Sequence, residues 1–140
     1  MTEMRSNSSG FSMIELLTVV AIIGILATLA ISNYAMFKSQ AVNATAASDA
    51  RGLVPGVDMV ATQDGGAPPN LTFGPGGGDV LCPACLPSGR IPGGKSSPGT
   101  FGTIDFGPGV YDYKIQAQQP GGDCYTVTNG VMSAPASTCS

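Results

Sequence analysis

Residues 10–31 read GFSMIELLTVVAIIGILATLAI, and Leu16 to Ile31 are sixteen residues without a charge. Counted from Phe11, the apolar stretch has 21 residues and one full negative charge near its start, Glu15. A run of about 20 apolar residues matches the hydrocarbon thickness of a bilayer as a helix. The stretch therefore predicts a membrane-crossing helix and makes Glu15 the residue to explain. A carboxylate at membrane depth costs about 2.5 to 3.5 kcal/mol on insertion scales unless it finds a partner.

No Lys or Arg lies between Phe11 and Phe37. The positive charge able to approach Glu15 at that depth is a newly made amino terminus. Cleavage after Gly10 makes Phe11 that terminus, with Glu15 one turn along the same helix. Contact within one chain is geometrically poor at a helix start, so a neighbouring chain's terminus is the better partner. Repeated from chain to chain, this head-to-tail pairing does not close on itself and builds a filament. Two simpler readings account for less. A secretory signal peptide cut after Ala30, with Thr28 at the small-residue position, gives Glu15 no purpose. A plain single-span anchor leaves the spacing from Gly10 to Glu15 unexplained.

Proline and glycine divide the chain more sharply than charge does. All eleven prolines lie at Pro55 or later, and eighteen of the twenty glycines at Gly52 or later. Phe11 to Arg51 contains no proline and only Gly24, so it can run as one helix of about 60 Å at 1.5 Å per residue. That is longer than a bilayer is thick, and the second half is expected outside the membrane. There Tyr34, Phe37 or Lys38, Ala41, Ala44 or Thr45, and Ser48 follow a spacing of three to four, a narrow stripe of mostly small residues suited to close packing against a sheet or against sister helices. Tyr34 and Phe37 are read as packing residues near a membrane interface. Pro55-Gly56 is expected to kink or end the helix, with VDMVAT as a last turn or two beyond it.

After Gln63 the pattern changes to loops and short strands. QDGGAPPNLTFGPGGGDV and LPSGRIPGGKSSPG are turn-rich and are expected to lack regular structure. In VYDYKIQAQ, Tyr111, Tyr113, Ile115 and Ala117 alternate with Asp112, Lys114, Gln116 and Gln118, the period of a half-buried strand. PGGD at 120–123 supplies a turn, CYTVT a second strand, Asn129-Gly130 a tight hairpin and VMS a third strand. TFGTIDF adds another. The expected fold class is α+β, a long amino-terminal helix on a small antiparallel sheet.

Four cysteines, Cys82, Cys85, Cys124 and Cys139, sit in this small domain behind a membrane segment, which points to an oxidising compartment and disulfides. Of three possible pairings, Cys82 with Cys85 and Cys124 with Cys139 is favoured, since each closes a loop without crossing the chain. CPAC also has the form of a redox or zinc motif. It lies between glycine-rich loops rather than at a helix start in a βαβ unit, and Cys124 and Cys139 are too far apart for the second half of a zinc site. No metal or cofactor is expected.

His is absent and the net charge is −3. The commonest general base is therefore missing, and no basic cluster is present to neutralise phosphates, so neither an enzyme nor a nucleic-acid binder is expected. Asn43-Ala-Thr45 and Asn70-Leu-Thr72 match the short acceptor pattern for N-glycosylation.

Gly10 followed by FSMIELLTVVAIIGILATLAI resembles the class III signal and first helix of type IV pilins and of the pseudopilins of type II secretion. The likeness is specific over residues 10–31, extends more loosely to about residue 52, and says little of the rest. It implies that a prepilin peptidase removes residues 1–10 and methylates Phe11, and that Glu15 drives assembly. Residues 11–32 would form the membrane and filament-core helix, 33–62 its amphipathic continuation, and 63–140 a disulfide-containing β-rich domain. The partners implied are identical subunits, the peptidase, an inner-membrane assembly platform and the lipid bilayer. The implied location is the inner membrane with a periplasmic domain, then the cell surface. The Cys124 and Cys139 pair resembles the disulfide-bounded region of many pilins. A pseudopilin is the alternative, and a membrane-tethered thiol oxidoreductase a distant one. Where many members carry a proline associated with helix bending, this chain has Ser32, while Gly24 is retained; a straighter stem follows. The leader, with Arg5 opposed by Glu3, gives a weak positive-inside signal.

Overall fold

The computed structural model of the chain describes residues 10–63, 68–109 and 112–139. The leader residues 1–9, Tyr111 and the side chain of Ser32, to which the sequence reading assigned roles, lie outside the described residues. The long helix, α1, spans Met13–Gln63, and the chain divides into two units, Met1–Phe37 and Lys38–Ser140.

In the first unit the large apolar side chains of α1 are exposed. Ile22 is 58% exposed, Leu29 62% and Phe37 65%. The most apolar 18-residue window of α1 has a mean hydropathy of 2.6 and none of it is buried. By length and composition this helix can cross a membrane. Thr18 and Thr28 do not spoil that surface, because their hydroxyls donate to the carbonyls of Glu15 at 3.0 Å and Ile25 at 2.7 Å, one turn back on the same helix.

In the second unit, α1 packs on an antiparallel sheet. Its strands are β1 (Leu71–Phe73), β4 (Phe101–Phe106), β5 (Tyr113–Gln118), β6 (Tyr125–Thr128) and β7 (Val131–Met132), in the order β1-β4-β5-β6-β7. A separate two-stranded sheet pairs β2 (Gly78–Leu81) with β3 (Arg90–Ser96). The α+β, pilin-like architecture expected from the sequence is present.

The helix face that packs here is Ala46, Ala50, Leu53, Val57 and Val60, all fully buried. Steps of four and three keep such residues on one side of a helix. Ala50, Leu53, Val57 and Val60 join one core with Ile104, Ile115, Ala117 and Val127 of the five-stranded sheet, Val80 and Ile91 of the small one, and Cys82 and Cys85 of the loop between its strands. The stripe expected from the sequence is not the face that meets the sheet, because Ala41, Ala44 and Ser48 are exposed; its other expected role, packing against sister helices, is not touched by this. Ser48 lies two residues from both Ala46 and Ala50, about 200° round the helix at 100° per residue. Between residues 38 and 50 the helix offers mostly Ala, Ser, Thr and Asn, with nothing large enough to fix a face.

The large residues that do fix it lie around Pro55, where the sequence reading allowed the helix to end. It continues eight residues further, to Gln63, with Pro55 inside. An interior proline removes one helical hydrogen bond and costs about 3 kcal/mol. Burying Leu53, Val57 and Val60 returns about 1.5 to 3 kcal/mol for each side chain, which outweighs it.

The segments expected to lack regular structure contain β1, β2 and β3. Their glycines and prolines hid three short alternations: Leu71 and Phe73, Val80, and Ile91 are buried while their neighbours point outward. The later strands fall within the expected segments, β5 by its alternation and β6 and β7 by the turns that flank them. Asn129 and Gly130 turn with φ of 51° and 81°, the two positive values that a type I′ hairpin needs. Gln116 departs from the pattern. Expected on the solvent side, it is only 7% exposed, because it sits in register between Thr103 and Thr126 and donates from Nε2 to Thr126 Oγ1 at 3.4 Å.

Gly56 sets how closely α1 approaches β3. A Cβ there would lie 2.5 Å from Ile91 Cγ2, with the Pro92 carbonyl oxygen closer still, whereas a Cβ on Gly52 meets nothing within 4 Å. Gly56→Ala is expected to destabilise the protein by about 1 to 3 kcal/mol through overpacking. Gly52→Ala is expected to be neutral or stabilising by up to about 1 kcal/mol through helix propensity. Thermal and denaturant unfolding of the full chain in detergent, followed by circular dichroism, measures both.

Candidate functional site

The first turn of α1 places Glu15. The Ser12 carbonyl accepts from the amides of Glu15 at 3.0 Å and Leu16 at 3.2 Å, which makes Ser12 the residue that caps the helix. Glu15 is then the third helical residue, and its Oε2 accepts from the Ser12 amide at 2.9 Å. This is the acidic half of a capping box, in which a glutamate satisfies a backbone donor that the helix leaves unpaired. Glu15 therefore has a local role in starting the helix that the sequence reading missed, although Ser-x-x-Glu before an apolar run is its signature. One carboxylate oxygen is occupied this way. Oε1 has no hydrogen-bond partner among the described residues, and the side chain is exposed.

Gly10 and Phe11 precede the helix in open surroundings. Phe11 is 82% exposed, and a Cβ on Gly10 would meet nothing within 4 Å. Among the described residues no hydrogen bond joins Phe11 to Glu15, so within one chain Ser12, not Phe11, is the partner of the acid.

The cysteines occupy two different settings. Cys82 is bonded to Cys85, and Cys124 to Cys139, with Cα separations of 5.4 and 5.2 Å. Cys82 and Cys85 are 0% and 2% exposed and belong to the core. The Cys82 amide donates to the Gly89 carbonyl at 2.9 Å and the Cys85 amide to the Cys82 carbonyl at 3.1 Å, closing a compact turn. A sulfur pair sealed in a core is closed to an external thiolate, and no helix starts at it to lower a thiol pKa. Cys124 bridges Ala136 through two backbone hydrogen bonds of 2.7 and 3.0 Å, so the second disulfide pins the carboxy-terminal segment beside β6. All four cysteines are used in these bonds. No group of three or more His, Cys, Asp or Glu gathers to hold a metal among the described residues.

Two polar clamps between α1 and the loops were not visible in the sequence. Asn43 Nδ2 donates to Asp123 Oδ2 at 2.9 Å, and the Asp123 amide donates back to Asn43 Oδ1 at 2.9 Å. Asp49, 9% exposed, accepts from the amide of Ser97 at 2.7 Å and from its hydroxyl at 2.9 Å. Each joins residues that are distant in sequence, so no local pattern announces them.

Residues 5–31 match the pattern of the prokaryotic N-terminal methylation motif, which is the class III signal peptide of type IV pilins and pseudopilins. The match is confined to this amino-terminal segment, 27 of the 140 residues, and does not extend into the second unit. No solved structure matches the chain.

One buried group belongs to none of these features. The Tyr113 hydroxyl is buried and, among the described residues, has no partner at hydrogen-bond geometry, the Asp58 carboxylate being its polar neighbour. Burial first, then the nearby Asp58 carboxylate, pushes its pKa well above the ordinary tyrosine value, so it stays neutral. Removing an unsatisfied buried hydroxyl while keeping the ring relieves a desolvation penalty of about 1 to 3 kcal/mol. Tyr113→Phe is therefore expected to unfold at the same denaturant midpoint as the parent or a higher one. A midpoint lower by more than about 1 kcal/mol equivalent would show that the hydroxyl has a partner.

Proposed function

We propose that this chain is a filament subunit of the type IV pilin class. It is cleaved after Gly10 by a prepilin peptidase, methylated on Phe11, held in the inner membrane by α1 and then assembled into a helical pilus. Its second unit would be periplasmic before assembly and displayed at the cell surface afterwards. The observation that carries the reading is the pairing of an uncharged, fully unburied span with a single exposed carboxylate five residues after Gly10, inside residues matching the methylation motif.

The geometry of Glu15 supports a division of labour. Oε2 accepts the Ser12 amide of its own chain, and Oε1 is left to accept the amine of a neighbour's Phe11. A charge-assisted hydrogen bond of that kind is stronger than the neutral bond to Ser12, and away from water its loss strands an unpaired acid. Head-to-tail repetition gives a filament, because each subunit presents an amine to one neighbour and an acid to another.

A pseudopilin of a secretion system uses the same motif and the same α1, and nothing in the first 31 residues separates the two. The disulfides favour a subunit exposed outside the cell, where a covalent tie of the carboxy-terminal segment protects a small core. A thiol oxidoreductase is disfavoured by the burial of Cys82 and Cys85.

Two measurements test the proposal. Mass spectrometry of the mature chain is expected to find Phe11, N-methylated, at the amino terminus; an intact Met1 or a start at Ile31 rejects the processing step. Glu15→Gln keeps a hydrogen-bonding oxygen for the Ser12 amide and removes the charge. It is expected to be processed normally yet to lower the amount of filament at least tenfold, as seen by electron microscopy of sheared surface material. Parental amounts of filament from this variant would defeat the salt-bridge account. A parent that yields short cell-bound assemblies and no sheared fibres would identify a pseudopilin.

A further inference from the structure

The two triplets Asn43-Ala-Thr45 and Asn70-Leu-Thr72 are indistinguishable as sequence patterns, and the fold treats them in opposite ways. We propose that Asn70 is a site of N-linked glycosylation and that Asn43 is closed to it. In the reaction, the Asn70 amide nitrogen forms a bond to C1 of the first sugar of a polyprenyl-diphosphate-linked oligosaccharide. The C1–O bond to the diphosphate breaks, the nitrogen gives up one proton, and the lipid diphosphate leaves.

Asn43 fails on three counts. Its amide nitrogen is engaged with Asp123 Oδ2 and its oxygen with the Asp123 amide, both at 2.9 Å. It lies well inside α1, where Thr45 sits about 200° round the helix from it, so amide and hydroxyl cannot be offered together. The Thr45 hydroxyl is also turned to the Ala41 carbonyl, 2.9 Å away. A glycan on Asn43 would break the clamp to the loop before β6, where Gly122 packs so tightly that even a Cβ would lie 2.7 Å from Asn43 Oδ1.

Asn70 meets each requirement that Asn43 fails. It is exposed, one residue before β1. Alternation along an extended chain puts residues 70 and 72 on one side and Leu71 on the other; Leu71 is buried and Thr72 exposed. The side chain is oriented by its oxygen alone, which accepts the Phe106 amide at 3.0 Å. Its nitrogen has no partner among the described residues. An N-linked amide keeps its carbonyl oxygen, so the bond to Phe106 survives modification. β1 is a three-residue edge strand paired only with β4, so it presents the triplet to an enzyme at the margin of the sheet. The inference depends on the second unit meeting the transferase, not on filament assembly.

The test uses the purified full chain in detergent, a sequon-reading oligosaccharyltransferase and its lipid-linked oligosaccharide. A flexible acceptor sequon appended at the carboxy terminus sets the scale, and occupancy is read by peptide mass spectrometry on chains in which that sequon is modified. Asn70 is expected to be occupied at least tenfold more than Asn43. Asn70→Gln and Thr72→Val are each expected to abolish the added mass, whereas Asn43→Gln retains it. In urea-unfolded chains Asn43 is expected to be occupied as well. An unmodified Asn70, an Asn43 occupied to a similar degree in the folded chain, or an Asn43 that stays bare after unfolding would each overturn the proposal.

Discussion

The second unit depends on one contact, the burial of Leu53, Val57 and Val60 of α1 against Ile104, Ile115 and Val127 of the sheet and Ile91 of the small hairpin. A core this small has little in reserve, since a domain of about 100 residues keeps only about 5 to 15 kcal/mol of net stability. Several other features serve that contact. Gly56 lets the helix backbone approach Pro92 and Ile91. Ala46 and Ala50 keep the preceding turns close to the sheet, and the helix tolerates Pro55 because ending there would expose Val57 and Val60. The Asn43–Asp123 and Asp49–Ser97 clamps then hold the loops at the margins of the packed face, where apolar contact runs out.

The first unit follows the opposite rule. Its apolar side chains are exposed all round α1, with its threonine hydroxyls turned back onto the helix. A surface of that kind is stable only when something apolar covers it. In the proposed life of the protein that cover is first lipid and then the stems of sister subunits. In that proposed reading, Glu15 lets one helix serve both surroundings. Bound to its own Ser12 amide it completes the helix start, and with a free oxygen remaining it can take a second, charged partner.

The cysteines show how one residue type divides between two tasks. Cys82 and Cys85 are core residues that happen to be bonded, filling space beside Val80 and Ile91. The Cys124–Cys139 bond instead ties down a carboxy-terminal segment that has two backbone bonds of its own to Cys124. A loop of that length contributes about 3 kcal/mol in the chain-entropy model, a substantial share for a small domain.

By itself the sequence determined what depends on neighbours along the chain. The apolar run with Glu15, the absence of proline before Pro55, the alternation in β5 and the Asn129-Gly130 turn are local signals, each tied to a backbone period or a φ requirement, and each was legible. The tertiary structure decided the rest. It chose the helix face from the large residues around Pro55, because a run of small side chains has no preferred side until something large packs. It made strands of β1, β2 and β3, because one or two buried residues per strand become informative only when a partner covers them. It also separated Asn43 from Asn70, whose triplets read alike until Asp123, 80 residues from Asn43, takes up both polar ends of one side chain and leaves the other open.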